Sequence, residues 1–549
     1  MTLAARPPTR PAALRASWLG LAAWAVAGLV ALPMIAVALA ALLGGTETLS
    51  GLAGTLLPRY AGTSLRLALI VAAGTFAVGT GTAWLVTACR FPGRRVLEVA
   101  LVLPLAFPAY VLAYAYTHLL DHPGPVQTLL RDATGWGPRD YWFPEIRSEG
   151  GAAAMLVLVL YPYVYLLARA AFLRQGLSPF ITARTLGQGP WTAFGRVVLP
   201  MARPSIAAGV LLAVMETIAD FGTVAYFGVQ TLATGIYTAW FTLADRGAAA
   251  QIALGLLGFA LLLVALERAT GAGATAQRAT NPMTGAVELS GPAAWGAVLA
   301  CALPPILGAG VPGAMLAIMA AGSEQDVLSP RYLGFLSNSL TLAALAAALT
   351  TAAAVALGYH RRLTGTRRAA LATQIARIGY AVPGGVIAVG LFVPFAAFDN
   401  ALDAWMREAF GVSTGLLVSG SIALLLMAYA IRFMAAALGA WEGGQATVTP
   451  SLDAAARSLG ASPIGVLRRV HMPLLRPSVT TALLIVFVDV MKELPATLIM
   501  RPFGWDTLAV QAYRLAADER LEGAAVPSLV IVAAGLVPVV LLCRQVGRR

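Results

Sequence analysis

The sequence predicts an all-α polytopic membrane protein with about twelve transmembrane helices, arranged as two homologous six-helix halves. Composition, the spacing of apolar segments and an internal repeat support this prediction. Of the 549 residues, 59% are hydrophobic and only 11% are charged, whereas a soluble domain carries about 25% charged residues. The mean hydropathy is +0.77. Such a composition is typical of a chain whose surface faces lipid.

Twelve apolar segments are long enough to cross a bilayer, which requires about 20 mostly apolar residues. Their centres lie near residues 30, 76, 109, 161, 216, 257, 306, 347, 386, 424, 489 and 533. The first segment is too long for the apolar core of a signal peptide and lacks a cleavage site after a short core. We therefore expect it to remain as a helix.

The positive charge is distributed unevenly over the loops. If the N-terminus is inside, the cytoplasmic loops and termini hold 26 of the 38 Lys and Arg residues, Arg432 among them, and the opposite loops hold eleven. This bias predicts a multi-pass membrane protein with both termini cytoplasmic. The net charge of +13 is therefore assigned to the cytoplasmic face, not to a nucleic-acid partner.

A segment of the chain repeats after 273 residues. Residues 178–205 align without a gap on residues 451–478, and 12 of the 28 positions are identical. We therefore predict a first half at 1–267, a cytoplasmic linker at 268–291 and a second half at 292–549. Because six helices is an even number, both halves have the same orientation, with a pseudo-two-fold axis along the membrane normal.

The repeated segment predicts a helix–turn–helix in each half. Ser178 and Ser451 are predicted to cap its first short helix. Gly187 and Gly460 are predicted to end that helix in the left-handed conformation. A second helix can begin at the prolines that follow, and the later proline pairs, which include Pro200 and Pro473, are expected to break the chain.

These loops resemble the cytoplasmic coupling motif of ABC importer permeases, Glu-Ala-Ala, three residues, Gly and a later Leu-Pro. The copies here read "ITARTLG" with a later "VLP", and "AAARSLG" with a later "HMP". The motif's glutamate is replaced by Ile181 and Ala454. The resemblance implies docking to a homodimer of ABC ATPase subunits through the residues that match the motif: Ala183, Arg184, Leu186, Gly187, Pro200, Ala456, Arg457, Leu459, Gly460 and Pro473.

Residues 215–241 and 492–532 resemble fused permeases of bacterial ferric-iron importers. In that family one chain supplies both membrane halves, a periplasmic iron-binding protein delivers Fe(III), and ATP is hydrolysed on a separate subunit. The resemblance therefore implies a transport subunit that is not itself an enzyme and binds no cofactor. Fused thiamine permeases share the architecture, so thiamine or a polyamine stays an alternative cargo.

Four carboxylates fall in apolar segments at the same repeat spacing: Glu216 aligns with Asp489, and Asp220 with Glu493. Four residues span about one helical turn, so each pair is predicted to share one face of a continuous helix. Charged residues at membrane depth are costly and usually functional. We therefore expect the four to line a path for a hard cation, because hard cations prefer oxygen ligands.

Lys492 is the only lysine of the chain and aligns with Ala219. It is predicted to lie beside Asp489 or to reach an acid of the other half, either as a structural ion pair or as a residue that keeps the path closed. No metal site is firmly assigned. His118 and His122 are four residues apart, but a pair without a third ligand is more often structural.

A membrane enzyme or an ATPase is disfavoured, since the sequence has no His-Glu-x-x-His and no Gly-Lys-Ser/Thr phosphate loop. An ion-coupled secondary transporter stays open, because it can use the same intramembrane acids. Such a transporter has no need of duplicated coupling loops.

Overall fold

The computed structural model describes residues 18–45, 47, 50–51, 54–269 and 285–547, without the side chains of 267, 268 and 541–547. Within these ranges the regular secondary structure is helical, apart from two short paired strands of two residues each, β1 (Cys89–Arg90) and β2 (Val287–Glu288). The prediction of an all-α polytopic protein is confirmed. Residues 270–284 of the predicted linker lie outside the described ranges.

The helices of the first half alternate long spans with short connectors. In chain order they are α1 (Trp18–Leu43), α2 (Leu56–Ala88), α3 (Arg94–Ala100), α4 (Ala109–Leu120), α5 (Pro125–Thr134), α6 (Glu149–Gln175), α7 (Ser178–Thr185), α8 (Pro190–Ala193), α9 (Leu199–Ala219), α10 (Gly222–Tyr226), α11 (Leu232–Tyr237) and α12 (Arg246–Ala269).

The second half repeats this order at the spacing seen in the sequence. Its helices are α13 (Gly291–Pro305), α14 (Val311–Ala321), α15 (Pro330–Thr364), α16 (Arg367–Ile378), α17 (Gly384–Phe410), α18 (Ile422–Gln445), α19 (Pro450–Ser458), α20 (Pro463–Val466), α21 (Met472–Leu474), α22 (Arg476–Met491), α23 (Pro495–Met500), α24 (Leu508–Ala517) and α25 (Leu521–Gly547). Several starts, such as Glu149 and Ile422, lie 273 residues apart.

Ten helices among the described residues are long and apolar enough to cross a membrane, and two bent pairs bring the number to twelve if each pair is one span. The bends measure 96° between Arg94–Ala106 and Ala109–Thr134, and 78° between Pro463–Leu474 and Arg476–Met491. The number of spans agrees with the prediction. Four predicted centres are displaced, because 216 and 489 lie at the ends of α9 and α22, and 386 and 424 lie at the starts of α17 and α18.

The proline pairs act differently in the two halves. Residues Pro190–Ala219 form one continuous span through Pro200 and Pro204, so the predicted break is wrong there. A π-helical turn at Phe194–Val198 immediately precedes α9, which places Pro200 in the first turn, where its missing N–H leaves no bond unmade. In the second half the helix does bend, at Leu475 between α21 and α22.

The first span of each half packs on the other half. Helix α1 lies against α16 and α17, and α13 and α14 lie against α2, α3 and α4. The approach is close, because a Cβ on Gly390 of α17 would lie 2.3 Å from the carbonyl oxygen of Pro33 in α1. Across the other contact, Tyr116 donates a hydrogen bond to the carbonyl of Leu307 at 2.7 Å. The two halves are therefore interlocked and not merely adjacent.

Candidate functional site

The four acids lie where two spanning helices end. Helix α9 ends at Ala219 and α22 at Met491. Glu216 and Asp489 lie in the last turns, whereas Asp220 and Glu493 lie beyond the helix ends. The prediction that each pair shares one face of a continuous helix is therefore wrong. After each of these helix ends the chain turns into a short second helix, α10 in the first half and α23 in the second. The four acids therefore lie around two matching helix breaks.

Asp220 and Glu493 act as capping residues for these short helices. The carboxylate of Asp220 accepts hydrogen bonds from the backbone N–H of Thr223 at 3.1 Å and of Val224 at 3.2 Å. Glu493 likewise accepts from Ala496 at 2.8 Å and from Thr497 at 3.1 Å. Such bonds satisfy amide groups that lack partners in the first turn of a helix. Both residues therefore have a structural role at these breaks.

Glu216 and Asp489 are held by side chains and make no such caps. The hydroxyl of Tyr380 donates to Glu216 at 2.6 Å. Lys492 lies 2.9 Å from Asp489, which is the first of the two predicted placements for this lysine. Asp489 and Lys492 keep 25% and 28% of their side chains exposed. These two carboxylates are therefore the ones that can exchange a partner without unmaking a helix.

All five predicted residues line one cavity between the halves, with a volume of about 140 Å³. Its walls also include Tyr110, Tyr163, Tyr380 and Arg432, and we call this space the acidic cavity. Each half supplies one pair of acids, Glu216 and Asp220 from the first and Asp489 and Glu493 from the second. One water requires about 10–15 Å³ on the same measure, so the space has room for several waters or for a small ion. A transport role for these residues stays a prediction.

Arg432 is a lining residue that sequence reasoning missed. It was assigned to a cytoplasmic loop, and that assignment is wrong because the residue lies inside α18 (Ile422–Gln445) and lines the acidic cavity. The displaced centre of α18 caused the error. The stretch "YAIRFMAAAL" did carry a signal, since an arginine within an apolar helix usually faces protein or a water-filled space.

The first coupling loop consists of α7 and α8. Gly187 has a φ of +81°, which confirms the predicted left-handed turn. Ala183 is buried, Leu186 is 77% exposed, and Arg184 donates a hydrogen bond to the carbonyl of Gln188 at 2.8 Å. Pro200 lies beyond the loop, in the first turn of α9.

The second coupling loop, α19 and α20, has the same form. Gly460 has a φ of +82°, and Leu459 is 87% exposed. Ala456 and Arg457 lie in α19, where Arg457 donates to the carbonyl of Asp453 at 3.1 Å. Pro473 is in α21. Each loop thus presents a leucine and a glycine turn at its tip.

The predicted serine caps are wrong in both loops. Helix α7 is preceded by Leu177 and α19 by Thr449, and neither makes a side-chain capping bond. Ser178 and Ser451 lie inside the first turns. Pro179 and Pro450 occupy the first turns as well, where a missing N–H is tolerated, so the start of each helix requires no serine.

The two loops are anchored by different chemistry. Behind the first loop, Trp84 packs on Phe180 and Phe194, with ring centroids 5.6 and 4.4 Å apart. Behind the second, buried Asp453 accepts hydrogen bonds from Arg362 at 2.7 Å and pairs with His471 at 2.7 Å. Burial opposes ionisation of Asp453, but Arg362 and His471 outweigh it and hold its pKa below the usual carboxyl value.

The weaker histidine candidates do not gather ligands. His118 lies in the last turn of α4, and His122 follows the helix end. Throughout the described ranges, no group of three or more His, Cys, Asp or Glu side chains is arranged to hold a metal ion. The acidic cavity and the two coupling loops are therefore the sites from which a function can be argued.

Known proteins resemble both halves. Residues 76–270 match the family model described as binding-protein-dependent transport system inner membrane component. Over 494 residues the chain is 25% identical to the Fe(3+)-transport system permease protein FbpB 2 of Haemophilus influenzae, covering 87% of this chain and 88% of the relative. It is also 27% identical over 209 residues to the molybdenum transport system permease protein ModB of Escherichia coli, covering 37% and 87%.

A shorter match is to the sulfate transport system permease protein CysW of Escherichia coli, 30% identical over 161 residues, covering 29% of this chain and 53% of the relative. These three relatives are transport permeases, but the cargoes in their names differ: Fe(3+), molybdenum and sulfate. The description of the family model as an inner membrane component and the apolar spans of this chain together indicate a multi-pass inner-membrane protein.

Proposed function

We propose that this chain, a permease of the binding-protein-dependent transport family, forms the path by which ferric iron crosses the inner membrane of an ABC importer. The observation that carries the proposal is the acidic cavity, where carboxylates from both halves meet at paired helix breaks. Fe(III) is a hard cation, and hard cations prefer oxygen ligands. Glu216 and Asp489 supply such oxygens without giving up a backbone cap.

The nearly full-length similarity to an Fe(3+) permease supports iron over other cargoes. Thiamine or a polyamine stays the alternative, because a cavity with four carboxylates attracts any cation of suitable size. An ion-coupled transporter stays the third candidate. The duplicated coupling loops favour the ABC importer, since they offer two similar docking surfaces.

Energy input is assigned to a partner and not to this chain. Leu186 and Leu459 are exposed at the tips of the coupling loops, and exposed apolar side chains in paired positions suit a dimeric partner with two matching clefts. We propose that an ABC ATPase homodimer binds there and hydrolyses ATP. This places the loops and both termini in the cytoplasm, and a periplasmic iron-binding protein on the opposite face.

The test is transport by the purified permease–ATPase complex in proteoliposomes. The binding protein loaded with ⁵⁵Fe(III) is added outside, and ATP is enclosed. We expect uptake that requires ATP, the ATPase and the binding protein, and that excess thiamine or spermidine does not reduce. Uptake driven by a proton gradient without ATP would identify a secondary transporter. Uptake of labelled thiamine instead of iron would identify the other cargo.

A further inference from the structure

Arg432 is a cation without a hydrogen-bonding partner at a wall of the acidic cavity. Its Nη1 atom is buried and has no hydrogen-bond partner within the described ranges. The guanidinium lies 5.9 Å from the ring of Phe433, which offers no oxygen. A buried donor that bonds to nothing is costly, and more so when it is charged. The site therefore lacks an acceptor.

The nearby carboxylates are engaged elsewhere. Glu493 caps α23 through two backbone amides, Glu216 accepts from Tyr380, and Asp489 pairs with Lys492. Each acid thus has a donor of its own. Since Nη1 of Arg432 has no acceptor within reach among the described residues, an acceptor on a bound ligand would complete its hydrogen bonding.

The two bases of the cavity belong to one half only. At the repeat spacing, Arg432 corresponds to Val159 and Lys492 to Ala219, and all four positions line the cavity. The acids, in contrast, are matched in both halves. If the bases served only to neutralise the acids of their own half, both halves would carry them. The bases instead balance the two acids of the second half and leave the two acids of the first half without a base of their own.

We propose that Arg432 forms an oxyanion subsite in the acidic cavity, so that the ferric ion crosses with a small oxyanion attached. This inference rests on the proposed function. A guanidinium presents paired N–H donors that match two oxygens of a phosphate, carbonate or carboxylate. Lys492 has three N–H donors and one carboxylate partner, so it can provide a second contact from the same wall. The metal then faces Glu216 on the first half.

The experiment measures iron and anion together in the proteoliposome assay. The ⁵⁵Fe(III)-loaded binding protein is prepared with [³²P]phosphate in one arm and with [¹⁴C]bicarbonate in the other. We expect one of these labels to enter with iron in a ratio close to one to one. Arg432→Gln should lower the uptake of both labels about tenfold, and Arg432→Lys, which keeps the charge, should retain most of it. Arg95→Gln, at an exposed arginine outside the cavity, is the matched control.

The outcomes separate this inference from the proposed function. ATP-driven iron uptake with neither label entering, and with Arg432→Gln at the wild-type rate, overturns the oxyanion subsite and leaves the iron pathway standing. Entry of labelled anion without any iron overturns the proposed function, and it also overturns the transport of iron together with an oxyanion. If Arg432→Gln fails to insert, the label ratio of the wild-type protein still decides the question.

Discussion

At the scale of single residues, Gly384 controls how closely the cavity walls approach. A Cβ at this position would lie 2.5 Å from Nη1 of Arg432 and 3.0 Å from Oε1 of Glu493. Real Cβ atoms do not approach other heavy atoms so closely, so the arginine would have to move. The glycine therefore permits Arg432 and a capping acid to occupy one wall together.

We expect Gly384→Ala to displace Arg432 and to lower iron uptake severalfold, because overpacking in a packed interior costs about 1–3 kcal/mol. Gly439→Ala in α18 is the matched control, since its added Cβ meets nothing within 4 Å. Uptake and melting temperature of both variants are the measurements. Equal uptake by the two variants would show that the position of Arg432 is unimportant.

Sequence reasoning located the acids of the site but not their roles. The repeat spacing was sufficient to bring four carboxylates together, because duplicated positions meet at an interface. The helix breaks were missed, although Pro495 two residues after Glu493 and Gly222 two residues after Asp220 mark new helix starts. Which carboxylate meets Tyr380 depends on packing between distant helices, and no local pattern in the sequence records it.

At the scale of elements, the coupling loops show what local chemistry determines. The left-handed turns at Gly187 and Gly460 were predictable, because few residues other than glycine adopt positive φ readily. Their anchors were not predictable. Asp453, Arg362 and His471 come from three separate helical segments, and the aromatic cluster around Trp84 gathers in the same way.

The turn at Gly187 provides a test of docking. Gly187→Val should cost at least about 1–2 kcal/mol at a left-handed position and weaken ATPase association by a factor of about 5–30. Gly189→Val is the control in the same loop, because Gly189 has a φ of −62°. Binding of the ATPase to permease in nanodiscs is the measurement. Undiminished binding by Gly187→Val, and by Gly460→Val in the second loop, would refute the docking assignment.

The cluster of Asp453, Arg362 and His471 that anchors the second loop depends on the negative charge of Asp453. Asp453→Ala removes the acceptor of His471 and the carboxylate partner of Arg362, which keeps only backbone carbonyls as acceptors. The substitution should cost about 3–5 kcal/mol. The folded-state pKa of Asp453 is lowered, so its ionised form contributes stability above the ordinary carboxyl pKa. That contribution is lost as the pH falls through the lowered value.

Hydrogen exchange of the loops checks this expectation. At pH 7, Asp453→Asn should speed exchange in α19 and α20, while exchange in α7 and α8 stays unchanged. Phe180→Ala should speed exchange in α7 and α8 and leave exchange in α19 and α20 unchanged, since the first loop is anchored by apolar packing. Unchanged exchange in Asp453→Asn would mean that the buried cluster does not hold the second loop.

At the scale of the whole molecule, each half packs its first span on the other half as well as on its own. Helix α1 packs on the second half, and α13 and α14 pack on the first. The number of spans and the repeat followed from the sequence. The packing of these spans across the two halves did not follow from it, because apolar helices of similar composition give no indication of which neighbour each one meets. The domain boundaries themselves stay a prediction.

Separate expression of the halves tests those boundaries. The two halves can be produced together from two reading frames as residues 1–275 and 276–549, with the cut in the predicted linker. We expect them to copurify and to restore part of the iron uptake, because the first span of each half also packs on the other half. A cut after residue 345, inside α15, is the control and should abolish assembly. Failure of the first pair to copurify would contradict two separable halves.

The central claim is that Glu216 and Asp489 form part of the route for iron, and ATP-driven ⁵⁵Fe(III) uptake by the double variant Glu216→Gln/Asp489→Asn tests it most directly. Neither side chain caps a helix, so protein level and ATPase binding should remain as in the wild type. The control is Asp132→Asn/Glu145→Gln, which removes two exposed carboxylates outside the cavity. The account predicts that uptake falls at least about tenfold, equivalent to about 1.4 kcal/mol, in the cavity variant only. Wild-type uptake by that variant would contradict it.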